Sequence, residues 1–150
     1  MQGKTRGINL LRRVCVIDGY GGGIGAAVVR YLKETYGESI QLIGLGTNAI
    51  ATAQMLKAGA NRGASGERAI VRTVGVADVI IAPLAISWAN AMLGEVTPGI
   101  AEAVTSSPAP KIYLPLFQES VILIGVASEP LPHLVQQLGN QRIKEVLLDV

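Results

Sequence analysis

The sequence predicts a single α/β domain, a three-layer sandwich whose sheet has five mostly parallel strands. Three observations support this fold class. The chain has 150 residues, which is the usual size of one domain. Hydrophobic residues make up 49% of it and charged residues 16%, a composition that excludes intrinsic disorder. Short apolar runs alternate with segments of helical periodicity, as in folds that place a parallel sheet between helices.

The first half of the chain contains two predicted strands, each followed by a helix. Residues 14–17 form an apolar run that is too short for a helix and predicts a strand buried on both faces. In residues 24–36 apolar side chains recur every fourth position, which predicts an amphipathic helix. Residues 40–45 predict the second strand, and Thr47 or Asn48 can cap the helix that follows it.

The third strand is predicted between two further helical segments. Ser65 is a suitable N-cap for the helix before this strand, and the helix dipole favours an acid such as Glu67 in the first turn. Residues 79–82 are apolar and predict the strand itself. A helix of small apolar side chains is expected over residues 86–94, and Thr97-Pro98 is typical of the start of another helix.

An antiparallel hairpin is predicted at the C-terminal edge of the sheet. Residues 112–114 and 121–126 both predict strands, and only six residues separate them. A parallel crossover needs a dozen residues or more, so this pair should be antiparallel. We expect the strand order 2-1-3-4-5, with the last strand antiparallel. Pro130 then introduces a final helix, which Gly139-Asn140 is expected to interrupt.

Charge and hydropathy exclude several classes of partner. The net charge is +2, and much of it lies in residues 1–13, which contain Lys4, Arg6, Arg12 and Arg13. We interpret residues 1–12 as a basic tail preceding a domain over residues 13–150. The domain lacks the broad basic face of a nucleic-acid binder. The apolar stretch over residues 79–94 carries no charge, but it is shorter than the ~18 residues of a membrane span. We therefore expect a cytoplasmic protein, and the single cysteine agrees with a reducing compartment.

Five glycines crowd the turn between the first strand and the first helix. The segment reads Asp18-Gly19-Tyr20-Gly21-Gly22-Gly23-Ile24-Gly25. Such a turn lets backbone N–H groups and the positive end of a helix dipole approach an anion closely. Its spacing resembles the loop of short-chain dehydrogenases and differs from both G-x-G-x-x-G and the Walker A loop. We therefore expect a phosphate of a nucleotide, NAD(P) or another one, or of a small phosphorylated metabolite, to bind here.

The predicted binding set extends from the loop to the end of the second strand. Asp18 could hold a ribose hydroxyl, bind Mg²⁺ or merely accept loop N–H groups, and these alternatives stay open. Dinucleotide folds usually carry an acid at the end of the second strand, but Thr47 and Asn48 stand there instead. Either residue could donate to the ligand or cap a helix. The predicted set is Asp18, Gly19, Gly21, Gly22, Gly23, Ile24, Gly25, Thr47 and Asn48.

Other polar residues are weaker candidates. Residues 61–67 form a second glycine-bearing loop, which we place at the far end of the sheet as a turn or subunit contact. Ser87 and Asn90, in a region that Glu95 and Thr97 flank, are plausible second-side contacts because parallel strands end at one edge.

Three further residue types carry little chemistry in this sequence. A lone histidine such as His133 is more often a surface residue, and Cys15 is more often inert core than nucleophile. With one histidine and one cysteine, we expect no metal site built on either. None of the four tyrosines has a lysine four residues later, so the catalytic pair of short-chain dehydrogenases is absent.

Several longer motifs resemble an uncharacterised family of small bacterial proteins of unknown function. They read VIDGYGGGIG, LGTNA, MLKAGAN, MLGEVTP and EPLPHL, occur in that order and lie between residues 14 and 135. The resemblance implies a Rossmann-like fold and no assigned activity or catalytic residue.

Two functions of different classes remain open from the sequence. The first is a nucleotide-binding or phosphometabolite-binding domain, with or without catalysis. The second is a non-catalytic regulatory or scaffolding subunit whose glycine turn is structural. Because charged residues are few, we also expect a homodimer, with the helix over residues 86–93 or the hairpin over residues 112–126 at its interface.

Overall fold

The computed structural model describes residues 11–148 and has an α/β fold. Its five strands form one sheet in which every neighbouring pair is parallel. In spatial order the strands run β3-β2-β1-β4-β5, so the direction of winding reverses between β1 and β4. In chain order they are β1 (Arg12–Asp18), β2 (Ile40–Gly46), β3 (Arg62–Ser65), β4 (Val79–Pro83) and β5 (Lys111–Leu114).

Helices cover both faces of the sheet and make it the middle layer. Alternate side chains of β1 enter two separate buried clusters, Val14 and Val16 on one face and Cys15 and Ile17 on the other. This is why the strand is apolar throughout. Residues 11–148 contain six α-helices, which are α1 (Gly23–Tyr36), α2 (Ala49–Ala58), α3 (Glu67–Val74), α4 (Pro98–Ser106), α5 (Leu131–Gln136) and α6 (Gln141–Leu148). Helices α1, α2, α5 and α6 pack on the first face, and α3 and α4 on the second.

The α/β class and the central strands agree with the sequence prediction. The four strands predicted near residues 40, 14, 79 and 112 are neighbours in that order. Helix α1 ends where Gly37 adopts a φ of 55°, and the final helical region is interrupted at Gly139 and Asn140. The predicted basic tail lies mainly outside the described residues, although Arg12 begins β1.

The antiparallel edge hairpin is wrong. Strand β5 pairs with β4 in parallel, and residues 121–126 join no strand of the described sheet. The physical cause lies just beyond β5. Pro115 has no N–H to continue a ladder, and the N–H of Leu116 donates back to the carbonyl of Leu114 at 2.7 Å. This tight turn directs the chain away from the sheet edge.

The fifth strand lies instead at the opposite edge, and the sequence did not indicate it. Strand β3 consists of Arg62, Gly63, Ala64 and Ser65, all exposed, so it has no apolar run to reveal it. Because β3 is parallel to β2, it carries residues 65–67 to the carboxyl edge rather than to the far end. The predicted cap is also wrong, since Gly66 precedes α3 and Ser65 belongs to the strand.

The helix predicted over residues 86–94 is also wrong. A short 3-10 turn at Leu84–Ser87 is followed by irregular turns in which Asn90, Met92 and Leu93 have φ values of 70°, 57° and 57°. Left-handed backbone cannot continue a right-handed helix. The N–H of Asn90 instead donates to the carbonyl of Val96 at 2.6 Å, which closes the segment into a compact loop. Among the described helices, none is long and apolar enough to cross a membrane.

Candidate functional site

The carboxyl ends of β1, β2 and β4 bring three loops together at one edge of the sheet. We call residues 18–25 the glycine loop, and residues 84–97 the β4 loop. Between them lies a cleft of about 210 Å³, at the point where the winding of the sheet reverses. Ligands of open α/β sheets bind in the crevice at such a point. The cleft is lined by Tyr20, Ile24, Pro83, Ala85, Met92, Leu116, Phe117, Gln118 and Glu119.

Asp18 holds the two ends of the glycine loop together. Its buried carboxylate accepts the N–H of Gly19 at 2.8 Å and the N–H of Gly25 at 2.6 Å. Burial raises the pKa of Asp18, and the Glu95 carboxylate acts in the same direction, while the two N–H groups oppose the rise. Of the roles left open by the sequence, the geometry shows the acceptance of loop N–H groups.

The five glycines of the loop fall into two groups. A side chain at Gly19, Gly22 or Gly25 would lie within 3.0 Å of neighbouring atoms, and Gly22 also has a φ of 80°. The fold therefore requires these three. Around Gly21 and Gly23, by contrast, the described residues leave the space within 4 Å of an added Cβ empty, and both residues are exposed.

Thr47 and Asn48 combine the two roles considered for them. The Asn48 Oδ1 accepts the N–H of Ala51 and so caps α2, while its Nδ2 donates to the carbonyl of Tyr20 at 2.9 Å. The Thr47 hydroxyl donates to Glu95 Oε1 at 2.7 Å, and Asn48 Nδ2 reaches the same oxygen at 3.0 Å. Both side chains thus connect the end of β2 to the β4 loop, and Asn48 also connects it to the glycine loop.

Glu95 is the central residue of the site, and sequence reasoning placed it only in the flanking region. Its Oε1 also accepts the N–H of Tyr20 at 2.9 Å. Burial alone would raise the pKa of Glu95, but the hydrogen bonds from Thr47, Tyr20 and Asn48 outweigh it and hold the pKa below its ordinary value. The Gly-Glu-Val-Thr-Pro run offered a signal, since an acid just before a helix start faces the same sheet edge.

The other candidates divide between this edge and the rest of the surface. The Ser87 hydroxyl donates to the carbonyl of Leu84 and so closes its own turn. Glu67 lies at the carboxyl edge and accepts the hydroxyl of Thr97. His133 is exposed, and its Nδ1 lies 3.4 Å from Glu129 Oε1. Burial raises the pKa of Cys15 to about 12, as expected of an inert core thiol.

Glu119 is a second acid that the sequence did not single out. It lines the cleft, and the N–H of Met92 donates to its Oε2 at 2.9 Å. This bond holds the pKa of Glu119 below its ordinary value. The β4 loop is thus hydrogen-bonded to the rest of the chain at two residues, at Met92 through Glu119 and at Glu95 through Thr47. Within residues 11–148, no cluster of three histidine, cysteine or acidic side chains is arranged to hold a metal ion.

Comparison with known proteins identifies the family. The model of a domain of unknown function, DUF3842, matches residues 13–147. The chain belongs to the DUF3842 family. No curated protein and no solved structure matches it significantly. Since the family name carries no activity, the function of this DUF3842 protein has to be argued from the site.

Proposed function

We propose that this DUF3842 protein binds a small nucleotide or phosphorylated metabolite in the cleft between the glycine loop and the β4 loop, on a Rossmann-like fold. The observation that carries the proposal is the empty space over Gly21 and Gly23. Gly23 is the first residue of α1, and neither Gly21 nor Gly23 has the positive φ or the close neighbour that would require glycine. A ligand in contact with the backbone would account for glycine at both positions.

The hydrogen bonding of the loop supports the same proposal. Within residues 11–148, the N–H groups of Gly21 and Gly23 donate to no protein acceptor. Both lie at the N-terminal end of α1, a helix of 14 residues whose dipole favours an anion. A phosphate held there would extend its sugar or base toward Tyr20 and Ile24, the residues of the loop that line the cleft.

The size of the cleft favours a compact ligand. Its volume of about 210 Å³ lies below the ~300 Å³ at which pockets for drug-sized molecules begin. The end of β2 also lacks the acid that holds the ribose of NAD in dinucleotide folds. A mononucleotide or sugar phosphate therefore suits the site better than NAD(P) does.

A thermal-shift panel of nucleotides and sugar phosphates tests this function. At millimolar concentration at least one compound should raise the melting temperature of the wild-type protein and lose its effect in Gly23→Asp. The fold should tolerate that substitution, because the site is open and an acid in the first turn of a helix stabilises it by about 0.3–1 kcal/mol. An aspartate there would repel the phosphate.

Gly75→Asp is the matched control. Gly75 is exposed and precedes β4, so the same charge is added at the opposite edge of the sheet. This variant should keep the ligand response of the wild type. If Gly23→Asp responds to ligands as Gly75→Asp does, phosphate binding on this loop is wrong.

A partner-binding subunit is the second candidate, because one segment exposes apolar side chains. Ile122 is 87% and Ile124 92% exposed, within an irregular stretch that follows the edge strand β5 in the chain. Both interface elements expected from the sequence are absent from the described structure, but the homodimer itself stays a prediction. Light scattering at micromolar concentration should give a dimer that Ile122→Glu/Ile124→Glu converts to a monomer. Ile50→Glu, at an exposed residue of α2, is the control and should leave the dimer intact.

A further inference from the structure

Three hydrogen-bond donors converge on a single oxygen at the carboxyl edge of the sheet. They are the backbone N–H of Tyr20 at 2.9 Å, the Thr47 hydroxyl at 2.7 Å and the Asn48 amide at 3.0 Å from Glu95 Oε1. We call these three groups the donor cradle. Two of them come from the end of β2 and one from the glycine loop, so different elements build a single acceptor position.

The donor cradle has the chemistry of an anion subsite. Donors that converge on an ionised oxygen make hydrogen bonds roughly twice as strong as neutral ones. The cradle is contiguous with the cleft through Tyr20, because its N–H belongs to the cradle and the same residue lines the cleft. Glu95 therefore occupies the acceptor position that the three donors define.

The segment that delivers Glu95 is held in a strained conformation. Asn90, Met92 and Leu93 all have left-handed backbone, although none is glycine. Such residues persist where surrounding contacts hold them, and they cluster at ligand clamps and switch regions. Here the holding contacts are the bond from the Met92 N–H to Glu119, the three cradle donors to Glu95, and backbone bonds within the loop such as that from the Asn90 N–H to the carbonyl of Val96. Leu93 itself is 95% exposed and adds little packing.

We infer that the donor cradle is the subsite for an anionic oxygen, of a phosphate or a carboxylate, and that the Glu95 carboxylate is a built-in competitor which leaves when the ligand binds. The inference rests on the proposed function, because it assigns a second anionic group of the ligand whose phosphate binds at Gly21 and Gly23. An incoming anion cannot share the cradle with Glu95, since the three donors converge on a single acceptor oxygen and two anions at that position repel each other. Glu95 thus determines how strongly the site binds acidic ligands.

The test compares Glu95→Gln with Glu102→Gln. Glutamine keeps the shape and the acceptor oxygen of Glu95 but loses the charge. Glu102 is an exposed residue of α4, and its replacement removes the same charge elsewhere. Pyrophosphate and malonate, as phosphate and carboxylate probes, are titrated into each protein while the backbone amide resonance of Tyr20 is followed by NMR.

Glu95→Gln should bind at least one of the two anions about tenfold more tightly than the wild type and Glu102→Gln, since tenfold corresponds to about 1.4 kcal/mol. The Tyr20 amide should shift on binding, and the anion that gains more identifies the acidic group. Adding Thr47→Val to Glu95→Gln removes one donor and should abolish the gain. Equal affinities in the wild type and Glu95→Gln, or a gain without any shift at Tyr20, would overturn the inference.

The same proteins separate this inference from the proposed function. If nucleotides and sugar phosphates stabilise the wild type and Glu95→Gln equally, the function stands and the competitor role of Glu95 is wrong. If no compound stabilises either protein and neither anion binds, both proposals are wrong. A melting curve for each variant establishes that it is folded before the titration.

Discussion

The glycine loop and the β4 loop follow neighbouring strands and face each other across one cleft, but they turn the chain in different ways. In the glycine loop, Gly22 supplies left-handed backbone at little steric cost, Tyr20 is the one other left-handed residue, with a φ of 51°, and Asp18 ties the ends of the turn together. In the β4 loop, Asn90 and Gly94 tolerate left-handed backbone, but Met92 and Leu93 adopt it against their own preference.

The two loops differ in the contacts that hold their backbone conformation. The glycine loop is specified locally, by residue type and by one buried carboxylate. The β4 loop combines backbone hydrogen bonds of its own with contacts from elsewhere in the chain, from Glu119 to Met92 and from the donor cradle to Glu95. A loop held partly from outside can change when those contacts change, and this is the property the proposed exchange of Glu95 for a ligand requires.

Replacement of Gly22 by alanine should break the glycine loop and have the largest effect. An alanine there would take a left-handed backbone at a cost of about 1 kcal/mol. Its Cβ would also lie 2.8 Å from the Cα of Ala51, and overpacking against backbone adds about 2 kcal/mol. Chemical denaturation should therefore show a free energy of unfolding lower by about 3 kcal/mol.

Gly21→Ala is the control in the same loop. Its Cβ has open space and its φ is not positive, so restriction of the unfolded chain should raise the stability by about 0.5 kcal/mol. Equal losses from both substitutions would mean that the two groups of glycines are not distinct.

The two loops also differ in how far the sequence predicted them. The apolar run of β1, the glycines and the period of α1 are local signals, and all three elements were predicted correctly. The β4 loop has the small apolar composition of a buried helix, and its left-handed turns depend on contacts with residues 95, 96 and 119. Strand β3 was missed because its exposed residues carry no hydrophobic pattern, and residues 121–126 were misplaced because an apolar run was read as a strand.

The stability difference between the wild type and Glu95→Gln should depend on pH, which tests how much the charge of Glu95 holds the β4 loop. Hydrogen bonds to a charged acceptor are stronger than neutral ones, so at pH 7 the variant should be less stable than the wild type by about 1 kcal/mol. Because the folded state lowers the pKa of Glu95, its stabilising effect is present above the unfolded value and is lost as the pH falls through the folded one.

Unfolding curves between pH 7 and pH 3 measure this difference. The gap between wild type and variant should close below about pH 4.5, the ordinary range of a glutamate. The raised pKa of Asp18 acts in the opposite direction, but Asp18 is present in both proteins, so its own contribution largely cancels from the gap. A gap independent of pH would mean that the charge of Glu95 contributes nothing.

The same site shows why its central residue was hard to predict. Thr47 and Asn48 were singled out because they end a strand next to the glycine loop. Glu95 lies 12 residues beyond the end of β4, after a loop whose path the sequence does not reveal. Its position depends on the left-handed turns of the β4 loop, so a local reading could place it at the correct edge but not in contact with Thr47.

Leu93→Gly should have the smallest effect and the opposite sign. Leu93 has a φ of 57° and a side chain that is 95% exposed, so its removal costs little packing. Relief of left-handed strain is worth about 1–2 kcal/mol, and the greater freedom of the unfolded glycine chain offsets about 0.4–1 kcal/mol of it. Chemical denaturation should therefore show a free energy of unfolding higher by about 0.5 kcal/mol.

Leu93→Ala is the control, because it keeps a Cβ and should leave the stability unchanged while the strain remains. If alanine stabilises as much as glycine, the gain comes from loss of an exposed apolar side chain and not from the backbone. If glycine destabilises the protein, the β4 loop is not strained at this residue, and the contrast with Gly22 does not hold.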